Sequence, residues 1–165
     1  MIQVREIFRH PLKSHGQEAL KAVTLTENKT MPWDRCWAVV HEASKADGSE
    51  WVPCVNFSRG SKAPSLMAIS AKFDEATEAL TLSHPDRKDF TFQPDDYRQL
   101  SGFLAWVRPL MPKERSQSSR IIRVPERGST DTDYPSISIN NYESLGDLSK
   151  LMKKEISPLR WRGNI

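Results

Sequence analysis

The sequence predicts an α+β fold, mainly antiparallel β with two amphipathic helices, and three observations carry that expectation. Short runs rich in β-branched and apolar residues are separated by turn residues. Two of these runs are joined only by the polar stretch around Asp74 and Glu75, which implies antiparallel pairing. Two other stretches, near residues 100 and 148, repeat apolar residues at the spacing of a helix face.

Taken in order, IQVREIF at 2–8 alternates Ile2, Val4 and Phe8 with polar neighbours, as a half-buried strand does, and His10-Pro11 ends it. CWAVVH at 36–41, LMAISAK at 66–72 and ALTLS at 79–83 read as further strands. Residues 43–65, punctuated by Gly48, Pro53, Gly60 and Pro64, read as a long functional loop or irregular excursion. From Asp95 the pattern turns helical: Leu100, Phe103, Leu104 and Val107 share a face, Asp95 or Asp96 caps the start, and Pro109 stops it. PKERSQSS at 112–119 has no periodicity and marks the expected seam between a first unit, 1–119, and a second, 120–165. RIIRV then restarts β structure, and PSISI at 135–139 reads as a short strand. Asn140 and Asn141 precede a helix whose face is Leu145, Leu148, Met152 and Ile156, with Lys150, Lys153 and Lys154 near its negative end. LRWRGNI closes the chain as an expected strand.

Composition excludes several classes. The 165 residues are 38% hydrophobic and 27% charged, and no run approaches the ~20 apolar residues of a membrane span. The charged N-terminus does not resemble a signal peptide, so no membrane partner and a cytoplasmic location are expected. Cys36 and Cys54 form no CxxC pair and have no His at zinc-finger spacing, which predicts neither a disulfide framework nor a structural zinc site. The net charge is +3, and its excess lies after residue 112, so an anion site draws on the C-terminal third. That excess is too small for a nucleic-acid binder.

Several residues could bind an anion. Lys13 and Ser14 in HPLKS offer an ammonium and a hydroxyl after a strand, although a solvated surface turn would look the same. Arg35 suits a phosphate fork, yet pairing with its neighbour Asp34 is the commoner arrangement. Asn141 caps a helix, and that terminus can attract an anion. Arg160, Arg162 and Asn164 alternate, so on a strand they would form one polar row, for ligand or for solvent. No GxSxG elbow and no HExxH spacing supports a hydrolase or a zinc protease, and Cys36 reads as a buried, inert thiol.

In order and spacing these pieces resemble the MOSC family. HPLKS is similar to its YPVKS loop, PWDRCWAVV to its (F/M)DRxW strand, YPSISINNYESLGDL to the start of the MOSC domain proper, and LRWRGNI to the RFRxNI strand. The resemblance implies a barrel-like N-terminal β domain over 1–119 and the beginning of a MOSC domain over 120–165. It implies a molybdenum-pterin cofactor contacted by Lys13, Ser14, Arg35, Asn141, Arg162 and Asn164. Relatives include the mitochondrial amidoxime-reducing component, an oxidoreductase acting on N-hydroxylated compounds, with a small-molecule substrate and an electron-donor protein as partners.

Two departures accompany the resemblance. The 43–65 stretch differs from the shorter REPRL region of the mitochondrial enzymes, leaving the substrate open. The family's molybdenum-ligating Cys lies beyond RFRxNI, so no metal ligand transfers to this chain and a C-terminally truncated product is expected. Catalysis by this chain is therefore open, and a non-catalytic binding module or inactive fragment is the rival reading.

Overall fold

The computed structural model describes residues 3–165. It is an α+β fold of eight short strands in three sheets with two α-helices. Strand β1 (Ile7–Arg9) pairs antiparallel with β3 (Glu18–Leu20). Strand β2 (Leu12–Lys13) runs parallel to β4 (Trp37–His41), whose other edge pairs antiparallel with β8 (Ser118–Arg123). Strands β5 (Ser70–Asp74), β6 (Ala79–His84) and β7 (Arg87–Phe92) form an antiparallel meander. Among the described residues these ladders do not close into one continuous barrel. No helix among them is long and apolar enough to cross a membrane.

β4 organises the core because both of its faces are covered, which is why WAVV is a continuous apolar run rather than an alternation. Trp37 and Val39 join Leu12, Leu66, Leu80, Leu82 and Phe103 on one side, while Ala38 and Val40 meet Phe57 and Ile122 on the other. Along β6 the alternation is clean, with Leu80, Leu82 and His84 inward. Helix α1 (Leu100–Val107) lies on the larger cluster and buries Phe103, Trp106 and Val107, with Leu100 and Leu104 partly buried against it. Asp96 starts it, accepting from the Arg98 N–H at the head of a 3₁₀ turn, Tyr97–Gln99. Asp95 instead accepts from Trp37 Nε1 at 2.7 Å and from Arg123 Nη1 at 2.7 Å.

Four of the expected strands are corrected. The first begins only at Ile7, and Val4 is exposed, because among the described residues no strand pairs with residues 3–6; Met1 and Ile2 lie outside the described residues. In the stretch 66–72, Pro64 starts a 3₁₀ turn, Pro64–Ala68, and strand geometry begins at Ser70. PSISI joins no strand, although Asn164 N–H (2.8 Å) and Ile165 N–H (3.1 Å) both donate to Ser138 O. LRWRGNI is not a strand: Pro158–Trp161 is a 3₁₀ turn and Arg162 is left-handed, so Arg160, Arg162 and Asn164 form no common row. β2, β3 and β7 carry no strand signal in the sequence, because LK and EAL are too short to show a period and Arg87, Lys88 and Asp89 dilute the Phe90–Phe92 signal.

Helix α2 (Tyr142–Met152) stands apart from the core, with no buried residue and with Leu151 and Met152 exposed. β8 completes the sheet begun by β2 and β4, so that sheet draws on residues from both sides of position 119. The chain end returns to the first strand, where Phe8 N–H donates to Asn164 O at 2.7 Å. That return sets the C-terminal residues beside the loop that follows β1.

Candidate functional site

A cleft of about 1280 Å³ opens where the loop after β2, the turn before β4, the 43–65 excursion, residues 130–138 and the C-terminal turn meet. Lys13, Ser14, Arg35, Arg162 and Asn164 all line it, and Asn141 does not. Asn141 is exposed and caps α2, its Oδ1 accepting the Ser144 N–H at 3.0 Å.

Backbone conformation aims three of these side chains. Ser14 (φ 64°), Arg35 (φ 52°) and Arg162 (φ 51°) all adopt the left-handed region without being glycine. Such residues persist where the surrounding structure over-determines them, and strain of this kind gathers at ligand sites. Here the surroundings are visible: Arg35 N–H donates to His10 O at 2.7 Å, and Ser129 N–H to Arg35 O at 2.7 Å. Gly128 (φ +68°) lets residues 128–130 lie on the Asp34–Arg35 backbone, since a Cβ there would stand 2.9 Å from Asp34 O. The same segment is tied to the excursion by Trp51 Nε1, which donates to Thr130 O at 2.9 Å, and by Arg127 lying over the Trp51 ring.

Charge is the cleft's dominant feature. Five cationic side chains line it: Lys13, Arg35, Arg59, Arg160 and Arg162. Lys13 is buried, donating to Ser129 O and Asp131 Oδ1, each at 2.6 Å. Burial pushes its pKa down, with Asp131 opposing and Arg35 reinforcing that shift. Arg35 pairs with the fully buried Asp34 carboxylate, as the bland sequence reading allowed, and also donates from Nη2 to Arg162 O at 2.9 Å. Asp34 accepts the His10 N–H as well, at 2.8 Å.

Arg162 differs from both. Its Nη2 donates to Gly16 O at 3.0 Å, but its Nη1 is buried without a partner among the described residues. Burial, with the neighbouring Arg35 charge, lowers its pKa to about 10, and Asp34 and Asp131 only partly oppose this. A buried guanidinium with an unsatisfied donor beside a second guanidinium is costly unless an anion joins them. Asn164, by contrast, is spent on structure: its Nδ2 donates to Phe8 O at 3.1 Å, and its Oδ1 accepts Ser138 N–H at 3.1 Å.

A family model, the MOSC N-terminal beta barrel domain, matches residues 1–109. The chain belongs to this family. No curated protein and no solved structure matches it. Within the matched span of this MOSC-family chain fall Lys13, Ser14 and Arg35, while Asn141, Arg162 and Asn164 lie beyond it.

Sequence reasoning missed Asp131, Arg59 and Cys54, all of which line the cleft. Arg59 and Cys54 sit inside the 43–65 excursion, whose length was the available signal. Asp131 lies in GSTDTD, where no pattern distinguishes it from a solvated turn. Cys36 lies outside the cleft, where burial pushes its thiol up to about 11, with Arg123 opposing and Asp95 and Glu78 reinforcing the shift. Among the described residues no group of three or more His, Cys, Asp or Glu could hold a metal ion.

Proposed function

We propose that this cleft binds a phosphate-bearing molybdenum-pterin cofactor, with Arg162, Arg35 and Lys13 holding its anionic end. The observation that carries this reading is the buried Nη1 of Arg162, a charged donor without a partner in a cleft with more cations than carboxylates. A phosphate would satisfy it by charge-assisted hydrogen bonds and offset the Arg35–Arg162 repulsion. Ser14 adds a neutral hydroxyl donor of the kind a phosphate accepts, whereas the Thr130 and Thr132 hydroxyls already donate to the carbonyls of Thr132 and Tyr134.

The residues therefore fit the anionic part of such a cofactor, whose bound metal would supply two-electron transfer. In that role the chain's own side chains bind and orient. Arg162 fixes the phosphate, Arg35 braces the Arg162 backbone through its carbonyl, and Lys13, counter-charged by Asp131, faces the same anion. Reduction of N-hydroxylated compounds is the finer proposal, supported by family membership. We assign residues 120–165 to the beginning of the MOSC domain, because Arg162 comes from it while Lys13 and Arg35 come from the first unit.

Calorimetric titration with inorganic phosphate tests the reading. The wild-type chain is expected to bind, and Arg162→Gln to bind at least about tenfold more weakly, the loss of one charge-assisted contact. No binding, or binding indifferent to Arg162→Gln, would remove the proposal.

A further inference from the structure

Arg59 is a charge in the cleft that the Arg162 end does not account for. It is half-buried and lines the cleft beside Gly60, Ser61 and Cys54. Its guanidinium makes one hydrogen bond, Nη1 to Cys54 Sγ at 2.9 Å, and among the described residues it has no carboxylate partner. An arginine fork carries five N–H donors, so most of this one still faces the cleft unused.

Its support is rigid. The preceding residue is pinned to β4 and β8 of the central sheet: Ser58 N–H donates to Val39 O at 2.8 Å, and the Ser58 and Ser118 hydroxyls bond at 2.9 Å. Arg59 O then accepts from Lys62 and Ala63 N–H, both at 3.0 Å, closing a turn. The charge is thus placed on a fixed base rather than on a swinging loop.

It is also separate from the first site. Arg59 is carried by the 43–65 excursion and Arg162 by the C-terminal turn, and among the described residues no hydrogen bond links Arg59 to Arg162, Arg35 or Lys13. Once Lys13 is paired with Asp131 and Arg35 with Asp34, three guanidinium groups remain. Arg162 holds the first anion and Arg160 is exposed and solvated, which leaves Arg59. The volume allows a long ligand, since 1280 Å³ exceeds the roughly 300–1,000 Å³ of ordinary small-molecule pockets.

We propose that Arg59 is a second anion subsite, so that the cleft takes an elongated occupant, or a cofactor and substrate together, presenting two separated phosphate or carboxylate groups, one at Arg162 and one at Arg59. This rests on the phosphate-binding reading of the Arg162 end. The 43–65 excursion then selects anionic substrates.

The test compares alkane-α,ω-bisphosphonates of increasing length with alkyl monophosphonates of matched length, titrated into wild type, Arg59→Met and Arg59→Lys. In wild type a bisphosphonate of optimal length is expected to bind at least tenfold tighter than its monophosphonate. Arg59→Met should cut that ratio to twofold or less without changing monophosphonate affinity, and Arg59→Lys should restore part of it. Cys54, which touches Arg59, supplies a second readout: iodoacetamide labelling of Cys54 should be slowed by the bisphosphonate and not by the monophosphonate, with circular dichroism confirming that each variant is folded. Equal binding of the two ligand types by wild type, or an equal loss of both in Arg59→Met, overturns the subsite while leaving the Arg162 reading intact. Failure of wild type to bind either ligand overturns both.

Discussion

Lowering the pH from about 7.5 to about 5 should destabilise the protein through two histidines that the fold buries neutral. His10 is 1% and His15 0% exposed. His10 places Nε2 3.2 Å from Gly163 O and Nδ1 3.4 Å from Gly16 O, and its pKa is lowered to about 4 by burial, then by Arg162 and Arg35, with Asp34 opposing. His15 donates from Nδ1 to Lys13 O at 2.8 Å, leaves Nε2 without a partner, and is also lowered to about 4 by burial. Both folded-state values lie below the ordinary 6.5, so the unfolded chain binds the extra protons. Stability is therefore intact above about 6.5 and is lost as pH falls toward about 4. At about pH 5 each histidine accounts for about 2 kcal/mol and the pair for about 4, a large share of a typical 5–15 kcal/mol. Urea midpoints at both pH values measure the loss, and His15→Leu, which keeps the contact with Phe103 and removes one titrating ring, should remove about half of it. A midpoint that is flat between these pH values, or a slope unchanged in His15→Leu, refutes the assignment of neutral buried rings.

Phe103→Ala should cost roughly 3–5 kcal/mol in the same denaturation analysis, because Phe103 is fully buried between Phe92 and His15; a change under about 1 kcal/mol would place it outside the core. Asp131→Asn should tighten inorganic phosphate binding by about three- to tenfold, since it releases Lys13 from its internal counter-ion; weaker binding would show that Asp131 serves to position Lys13. Asn141→Ala should lower stability by about 1 kcal/mol through loss of the α2 cap and leave phosphate affinity unchanged; a drop in affinity would return Asn141 to the ligand site.

The parts of the molecule legible in the sequence were those whose signal is local. WAVV announced an apolar strand, Phe103 and Val107 an amphipathic helix, and Asn141 a cap, and the structure has each in place. Lys13 and Arg35 could be named because they stand in short motifs, and Asp34 was a readable partner for Arg35, yet the partner of Lys13 was not readable. Asp131, 118 positions from Lys13, pairs with it only after residues 128–130 fold over Asp34 and Arg35. The C-terminal stretch misled for the opposite reason: alternating Arg160, Arg162 and Asn164 fits a strand, but Pro158 starts a 3₁₀ turn and Arg162 turns left-handed.

By itself the sequence determined the α+β class, the family resemblance and the roster of basic residues able to meet an anion. Each of those follows from composition and short-range spacing, which the chain carries before it folds. Only the tertiary structure decided which charges are neutralised and which are not, because that depends on contacts between residues far apart in the chain. Arg35 has Asp34 as its immediate neighbour, Lys13 finds Asp131 across the fold, and Arg162 is buried against Arg35 with a donor still unmet. Burial sets that difference, since an unpaired cation costs little in water and a great deal inside a protein.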